Sequence, residues 1–337
     1  MLQKDIFDQV VVVTGASAGL GRAIVREFAR HKARIGLLAR GIEGLEAAKQ
    51  EVEELGGKAI AVPADVSDAS RIEWAAQQVE EEFGPIDVWI NNAMVSVFSP
   101  FKEMDPDEFK RVTEVTYLGQ VYGTKVALNR MLRRDSGCII LVGSALAYRG
   151  IPLQSAYCGA KHGIHGFFES LRSELIHDKS NIRLSMVQLP AMNTTQFELV
   201  KSRLPRKPKP MGTIYEPEVA ARAIFNAAKH AEREIYVGYP TAQTILGNKF
   251  VPRWIDRYLA KTGYEGQQTE KPEDPEKPDN LWEPVSGDHG AHGSFNAQAW
   301  DFSPQLWAAM HRWTALAAVT AIGIGIGGLL NRVLSDK

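Results

Sequence analysis

The stretch from Ser144 to Lys161 carries three residue types that together can move a proton on and off an oxygen atom. Tyr157 and Lys161 are four residues apart, so a helix beginning near Ser155 would project both side chains from one face. A phenol has a pKa near ~10, and a neighbouring ammonium group favours the phenolate and lowers that pKa. Ser144 follows an apolar strand, residues 138–142, and its hydroxyl could hold a carbonyl oxygen beside the phenol. The set suits acid–base chemistry at an alcohol or carbonyl, although a Tyr and Lys at this spacing can also be a plain surface contact.

A glycine-rich turn lies much earlier in the chain. The valine run 10–13 is followed by the segment 14–21, Thr-Gly-Ala-Ser-Ala-Gly-Leu-Gly, and then by apolar residues at helical spacing. A dinucleotide site needs this order of strand, glycine turn and helix, because glycines let backbone amides and a helix N-terminus approach a pyrophosphate. Three glycines alone could equally form a tight turn.

Three motifs in this order resemble the short-chain dehydrogenase/reductase family. They are Thr14-Gly-x-x-x-Gly19-x-Gly21, Asn91-Asn92-Ala93 after a fourth predicted strand, and Ser144 with Tyr157-x-x-x-Lys161. The resemblance covers roughly residues 8 to 240. It implies that Tyr157 is the catalytic acid and base, that Lys161 activates it and binds the ribose, and that Ser144 orients the substrate.

The resemblance also implies a cofactor site, and the end of the predicted second strand indicates which cofactor it takes. An NAD-preferring enzyme would place a carboxylate there for the ribose 2′-hydroxyl, but this chain has Ala39 followed by Arg40. Arg40 can bind a 2′-phosphate, so we expect NADP(H) to be preferred over NAD(H), unless Arg40 merely closes the strand on the surface. The expected cofactor-binding residues are Thr14, Gly15, Ser17, Gly19, Leu20, Gly21, Arg40, Asp65, Val66, Asn91, Ala93, Tyr157, Lys161, Pro190 and Thr194.

Two residues depart from the family pattern close to the expected site. Met94 stands where the family usually has glycine, and we expect it to line the substrate pocket. Thr116 stands where the family commonly has an asparagine that holds a water linked to the lysine. A hydroxyl has fewer donors than an amide, so we include Thr116 in the catalytic set and expect a slower or rerouted proton relay.

The predicted substrate pocket is mostly apolar, which indicates an apolar alcohol or carbonyl, with a lipid-like one expected if a membrane is close. Its core is Met94, Leu146, Ile151 and Met192, with Val95, Val97, Phe98 and Phe197 as further candidates.

The alternation of strand and helix patterns predicts an α/β fold with a doubly wound, Rossmann-type parallel sheet of about seven strands. We place a catalytic, nucleotide-binding domain at residues 1–262. A polar, proline-rich linker or strap follows at 263–303, and an apolar C-terminal helix at 304–337. Within the first domain, one long helix is expected from about 106 to 134.

Composition narrows the function classes. The chain has 337 residues, 45% of them hydrophobic and 23% charged, which is typical of a globular protein. A formal charge of −1 gives no electrostatic case for a nucleic-acid partner. Two cysteines cannot form a disulfide framework and indicate a reducing compartment. The first residues lack the apolar core of a signal peptide, so we expect a cytoplasmic catalytic domain.

The segment from Trp313 to Asn331 contains no charged residue. Nineteen residues of helix span about 28 Å, close to the ~30 Å of a bilayer core. Gly323 and Gly327 form a small-x-x-x-small pair suited to close helix packing. We expect membrane association through 313–331, with burial against this chain or a second subunit as the alternative, and we expect a homo-oligomer.

Two other polar segments were considered as binding sites. The five positive charges in 201–209 could attract an anionic substrate or membrane, or could simply be solvated. The segment 288–293, Asp-His-Gly-Ala-His-Gly, contains metal-binding residue types, but in a glycine-rich loop it is more typical of a turn, so no metal site is expected.

Two hypotheses for function follow. The first is an NADP(H)-dependent oxidoreductase that interconverts an alcohol and a carbonyl by hydride transfer, with a small apolar substrate. The second is a membrane-tethered nucleotide-binding scaffold or sensor with little turnover, motivated by Met94, Thr116 and the unusual C-terminal region. The complete Ser144, Tyr157 and Lys161 set favours the enzyme.

Overall fold

The structure, a computed structural model, describes residues 8–312 and 314–315. In these residues the strands are β1 Val10–Thr14, β2 Arg34–Ala39, β3 Lys58–Pro63, β4 Val88–Asn91, β5 Val97–Phe98, β6 Cys138–Val142, β7 Arg183–Gln188, β8 Ala191–Met192, β9 Lys201–Ser202, β10 Arg206–Pro208, β11 Ile214–Tyr215, β12 Glu234–Tyr236, β13 Gln268–Pro272 and β14 Ala299–Trp300. Seven of them form a parallel sheet in the order β12-β7-β6-β4-β1-β2-β3. This is the doubly wound order, and the prediction of a seven-stranded Rossmann-type sheet is confirmed.

Helices cover both faces of this sheet. The helices are α1 Gly19–Ala29, α2 Ile42–Glu54, α3 Ala69–Phe83, α4 Pro106–Val112, α5 Gly119–Leu132, α6 Ser155–His177, α7 Gln196–Leu199, α8 Pro217–Lys229, α9 Tyr239–Phe250, α10 Pro252–Gly266 and α11 Pro304–Met310. Successive side chains of a strand point to opposite faces, and a sheet covered on both sides therefore needs continuous apolar runs. The valine run of β1 meets this need: Val11 and Val13 pack in one core, and Val10 and Val12 pack in the other.

The long helix expected from 106 to 134 is continuous from 106 to 132, but it is not a regular α-helix throughout. A π-helical turn, Thr113–Leu118, separates α4 from α5. The turn places the Thr116 hydroxyl against the backbone of Val95, donating to its carbonyl at 2.8 Å and accepting from its amide at 3.1 Å. Such single π turns often occur where a helix must re-aim a side chain near a functional site.

The segment 263–303, expected to be a linker or strap, lies along the catalytic domain. Its strand β13 pairs antiparallel with β10, and β14 pairs in parallel with β11. Between these strands, the side chains of Leu281, Ala291 and Phe295 are buried and fix the segment at three points. The segment therefore packs against the domain although it contains few apolar residues, because those few side chains are buried against it.

The predicted apolar stretch 313–331 lies outside the described residues, apart from 314–315. Among the residues that the structure describes, no helix is both long and apolar enough to cross a bilayer.

Candidate active site

A cavity of about 960 Å³ opens at the carboxyl ends of the central strands, where doubly wound folds bind their ligands. It begins at the glycine turn between β1 and α1 and passes the ends of β2 and β3. It then reaches the start of α6 and continues to α9 and α10. One continuous space therefore joins the predicted nucleotide site to the predicted catalytic residues.

The glycine turn has the shape that a dinucleotide requires. Gly15 and Gly19 adopt φ values of +67° and +55°, which side chains rarely tolerate. A Cβ atom on Gly21 would lie 1.8 Å from the carbonyl oxygen of Gly15, so only glycine allows the helix to start this close to the strand. The turn and the N-terminus of α1 fit a pyrophosphate group, although the Gly19 amide there already donates to the Gly290 carbonyl.

The catalytic helix brings the three predicted residues together. Tyr157 and Lys161 both line the cavity from α6, and the Lys161 ammonium nitrogen lies 5.6 Å from the centre of the Tyr157 ring. Ser144 follows β6, lines the same wall and hydrogen-bonds with the Tyr157 phenol. The Lys161 ammonium donates to the Val142 carbonyl at 2.7 Å, which ties it to the end of β6.

Burial controls the protonation of these groups in the cofactor-free chain. Burial raises the pKa of Tyr157, and the hydrogen bond with Ser144 offsets only part of this rise. Burial also lowers the pKa of Lys161 to about 7. In the cofactor-free chain the pKa of the phenol is therefore raised and not lowered, because desolvation is the largest influence on it. The phenol is protonated at neutral pH and is ready to donate.

The Thr116 hydroxyl is committed to Val95, so its only proton is not free for a relay. One turn further along, the buried Gln120 amide donates to the Val142 carbonyl at 3.2 Å, the same oxygen that accepts from Lys161. The Gln120 Oε1 atom is buried and has no hydrogen-bond partner among the described residues. Polar contact with the Lys161 site thus comes from Gln120, which sequence reasoning missed because the helix was expected to be regular.

A second buried amide supports Ser144. The Ser144 backbone amide donates to the Gln188 side chain at 2.7 Å, and that side chain donates to Glu234 at 2.7 Å. Glu234 also accepts from the Tyr148 hydroxyl at 2.5 Å. This network fixes the backbone at Ser144 from strands β7 and β12. Gln188 carried no sequence signal beyond being a polar residue in an apolar strand.

At the nucleotide end of the cavity, the polar residues after β2 and β3 already form hydrogen bonds within the chain. The Asp65 carboxylate accepts from Arg111 at 2.5 Å and from Ser67, and these bonds lower the pKa of Asp65 although its burial opposes them. The Arg40 guanidinium donates to the backbone carbonyls of Asn280 and Trp282. Asp65 and Arg40 both line the cavity, so both can still contact a bound nucleotide.

Most of the predicted site residues lie on the cavity wall. These are Gly15, Ser17, Gly19, Leu20, Gly21, Arg40, Asp65, Val66, Ala93, Met94, Val95, Ser144, Leu146, Ile151, Tyr157, Lys161, Pro190, Met192, Thr194 and Phe197.

Five predicted residues do not line the cavity. Thr14 accepts the Asn92 and Ala93 amides, and Asn91 is fully buried between Trp89 and Thr124. The remaining three are Thr116, which binds Val95, and Val97 and Phe98, which are buried in the core. Asn92, the neighbour of Asn91, lines the cavity instead.

Two further walls complete the cavity. Helix α10 contributes mostly apolar side chains, α9 contributes mainly small or polar ones, and the segment 280–289 closes the nucleotide end. Periodicity indicated helices over 241–262, but the segment 280–289 has no local signal for where it docks.

The two polar segments, 201–209 and 288–293, form charged contacts with other parts of the chain. Lys201 and Arg203 form ion pairs with Glu108, and Arg206 pairs with Glu265. Asp288 pairs with Arg22, whereas His292 lies beside Glu218. A group of Glu216, Glu218 and His292 has metal-ligand types, but such exposed acidic groups are common without an ion.

Comparison with known proteins agrees with this geometry. The sequence model described as "short chain dehydrogenase" matches residues 9–204. The chain is 34% identical over 288 residues to "Uncharacterized oxidoreductase YxnA" of Bacillus subtilis, covering 85% of this chain and 81% of that protein. It is 32% identical over 226 residues to "3-dehydrosphinganine reductase" of Danio rerio, covering 65% and 68%. A metagenomic short-chain oxidoreductase solved in complex with NADP superposes with a TM-score of 0.59 at 28% identity, covering 69% of this chain and 98% of that one.

Proposed function

This chain belongs to the short-chain dehydrogenase family and is an oxidoreductase that acts on CH–OH groups with NAD(P), and we propose that it interconverts an apolar alcohol and its carbonyl with NADP(H). The observation that carries the proposal is the shared cavity. Ser144, Tyr157 and Lys161 face the same space as the glycine turn, so a nicotinamide and a substrate can meet beside the phenol.

When bound, the nicotinamide supplies or accepts the hydride. Tyr157 donates its phenolic proton to the carbonyl oxygen, which becomes an alcohol. Ser144 donates a hydrogen bond to the same oxygen and holds it beside the phenol. The raised pKa of Tyr157 keeps the phenol protonated before the reaction, which suits reduction of the carbonyl. Lys161, with its pKa near 7, can return a proton to Tyr157 at neutral pH.

NADP(H) is supported by Arg40 and by the absence of a carboxylate at the end of β2. Arg40 lies on the cavity wall, and two of its nitrogens bond to backbone carbonyls, so part of its five-donor guanidinium remains for a 2′-phosphate. The metagenomic neighbour was solved with NADP.

A lipid-like substrate is supported by the walls of the cavity beyond Tyr157. Val251, just before α10, and Trp254, Ile255 and Leu259 of α10 extend the apolar lining away from the catalytic residues. An apolar chain can gain burial free energy along such a wall, at about 25 cal/mol per Å². The zebrafish relative is named for a long-chain sphingoid ketone, which agrees with this class.

The test is a panel of ketones of increasing chain length with purified protein and either NADPH or NADH. We expect turnover with NADPH that increases with the apolar length of the ketone. Tyr157→Phe keeps the ring but removes the proton donor, so we expect turnover to fall by about 10² or more while NADPH binding, measured by fluorescence, persists. Full turnover in Tyr157→Phe would show that another group supplies the proton. NADPH binding with no turnover across the panel would favour the sensor hypothesis.

Membrane association through 313–331 and a homo-oligomeric state are further proposals that rest on the sequence. The uncharged stretch and its Gly323 and Gly327 pair support both. Light scattering of the purified protein measures the second directly.

A further inference from the structure

A short segment of the C-terminal region, residues 282–290, covers the nucleotide end of the cavity, and we call it the flap. It lies between two fully anchored residues, Leu281 and Ala291, which are 0% and 2% exposed. None of the nine flap residues is buried. The flap is thus a surface loop fixed at both ends.

Polar contacts hold the flap against the predicted phosphate-binding elements. The Gly19 amide at the start of α1 donates to the Gly290 carbonyl at 2.8 Å. The carboxylate of Asp288 accepts from the buried Arg22 guanidinium at 3.0 Å. Arg40 donates to the Trp282 carbonyl at 2.7 Å. These contacts join the flap to the glycine turn, to α1 and to the end of β2.

The flap forms a wall of the cavity and does not fill it. Pro284, Val285, Gly287 and His289 line the space together with Gly15, Ser17 and Asp65. A nucleotide bound along the glycine turn would therefore lie beneath the flap. The closed flap would separate the adenosine half from solvent.

Because the flap is held by these polar contacts, opening it should cost little free energy compared with unfolding the whole protein. Segments with few buried apolar contacts open at a small fraction of the global stability. Here no side chain between Leu281 and Ala291 has to leave a core. Gly287 and Gly290 adopt φ values of +97° and +63°. As glycines they allow the backbone in the second half of the flap, next to α1, to change conformation.

We propose that residues 282–290 gate the cofactor site: NADP(H) enters and leaves only when the flap opens, and the closed flap retains the bound cofactor. This inference rests on the proposed function, because it concerns the same cofactor. It assigns a binding role to residues far outside the segment 9–204 that matches the family.

A reversible crosslink tests the gate. A Cβ atom on Gly41 would lie 3.3 Å from the Cβ atom of Pro284, close to the ~3.5–4.5 Å found in disulfides. The double variant Gly41→Cys, Pro284→Cys is loaded with NADPH, oxidised and desalted, and retained NADPH is measured by fluorescence. We expect retention while oxidised and release after reduction with dithiothreitol. Oxidation before loading should prevent uptake. The single variants Gly41→Cys and Pro284→Cys are the controls, since the native Cys138 and Cys158 are buried.

A second variant loosens the flap without a crosslink. Asp288→Asn removes the ion pair with Arg22, and we expect NADPH release, followed by stopped-flow fluorescence, to accelerate about fivefold. Glu276→Gln removes an exposed charge from the same C-terminal segment and should leave release unchanged.

Each failure has a distinct meaning. Release that is unaffected by both the crosslink and Asp288→Asn would overturn the gate while leaving the NADPH assignment intact. An oxidised double variant that loses its NADPH on desalting would show that the closed flap and the cofactor exclude each other, which also overturns the gate. Wild-type protein that binds no NADPH would overturn the proposed function itself.

Discussion

Lys161 is 2% exposed, and its ammonium nitrogen has the Val142 carbonyl as a hydrogen-bond acceptor. A buried ammonium without an acidic partner is costly, and the lowered pKa of Lys161, about 7, expresses that cost. Tyr157 responds to the same surroundings in the opposite direction, because its charged form is the deprotonated one. Both residues are thus biased toward their neutral forms before the cofactor arrives.

The pKa of Lys161 predicts a pH dependence of stability in the cofactor-free protein. Its folded value of about 7 lies below its ordinary value of 10.5, so between these values the unfolded chain binds more protons than the folded chain. The free energy of unfolding should therefore rise with pH across this window, by up to about 1.4 kcal/mol per pH unit. Urea unfolding at pH 7 and pH 9 should show a larger rise for wild type than for Lys161→Met. An equal rise in both proteins would contradict the shift.

Arg40 predicts the cofactor preference. Replacing the phosphate partner with a carboxylate, Arg40→Asp, should shift the ratio of kcat/KM for NADPH over NADH toward NADH by about 10-fold to 100-fold. Arg40→Gln is the matched control, since it loses the same contacts with the carbonyls of Asn280 and Trp282 without adding a negative charge, and we expect a smaller shift. A wild-type protein that already favours NADH would contradict the assignment.

The residue types at the catalytic centre were predictable because their spacing carries the geometry. A spacing of four residues from Tyr157 to Lys161 places both on one helix face wherever the helix docks. Roles that depend on distant partners were not predictable. Asn91 ends β4 and Asn92 directly follows it, and only the packing of Trp89 and Thr124 around Asn91 decides which of the two faces the interior.

At the scale of elements, the walls of the substrate end come from helices that follow the last strand of the sheet. Arg149, near the catalytic serine, donates to Asn248 of α9 at 3.2 Å and to Asp256 of α10 at 2.6 Å. These bonds join both helices to the segment after β6. Leu259 is buried, and Ile255 lines the cavity one turn before it. Helix α10 therefore forms a mostly apolar wall that these bonds hold in place.

This arrangement predicts which substitution on α9 and α10 affects substrate binding. Ile255→Gln places a polar amide in the cavity lining, and we expect KM for the longest accepted ketone to rise about tenfold while a short ketone is unaffected. Leu246→Gln is the matched control, because Leu246 is 56% exposed on α9 and lies outside the cavity. Equal KM values for the two variants with the long ketone would exclude α10 from the binding wall.

At the scale of the whole molecule, the sheet could be predicted and the path of the C-terminal region could not. Each central strand is a short apolar run between turns, and parallel order follows from the intervening helices. The bond between Arg40 and Asn280 joins residues 240 apart, and its acceptor is a backbone carbonyl that any residue offers. The segment docks through Leu281, Ala291 and Phe295, which are too few and too widely spaced to form a periodic pattern.

The last prediction concerns the stretch from Trp313 to Asn331, whose sequence alone supports membrane association. Nineteen residues without charge should enter a bilayer, so we expect the full-length protein to fractionate with membranes and to resist extraction by high salt. Salt separates the two modes of attachment, since it screens electrostatic adhesion through basic residues but does not release a buried apolar helix. The comparison protein should end at residue 312 and not earlier, because Leu306 of α11 is only 3% exposed and contributes to the core. We expect that shortened protein to stay in the supernatant with its NADPH binding intact. A full-length protein that is monodisperse without detergent would mean that 313–331 packs against protein, and the membrane proposal would then be dropped.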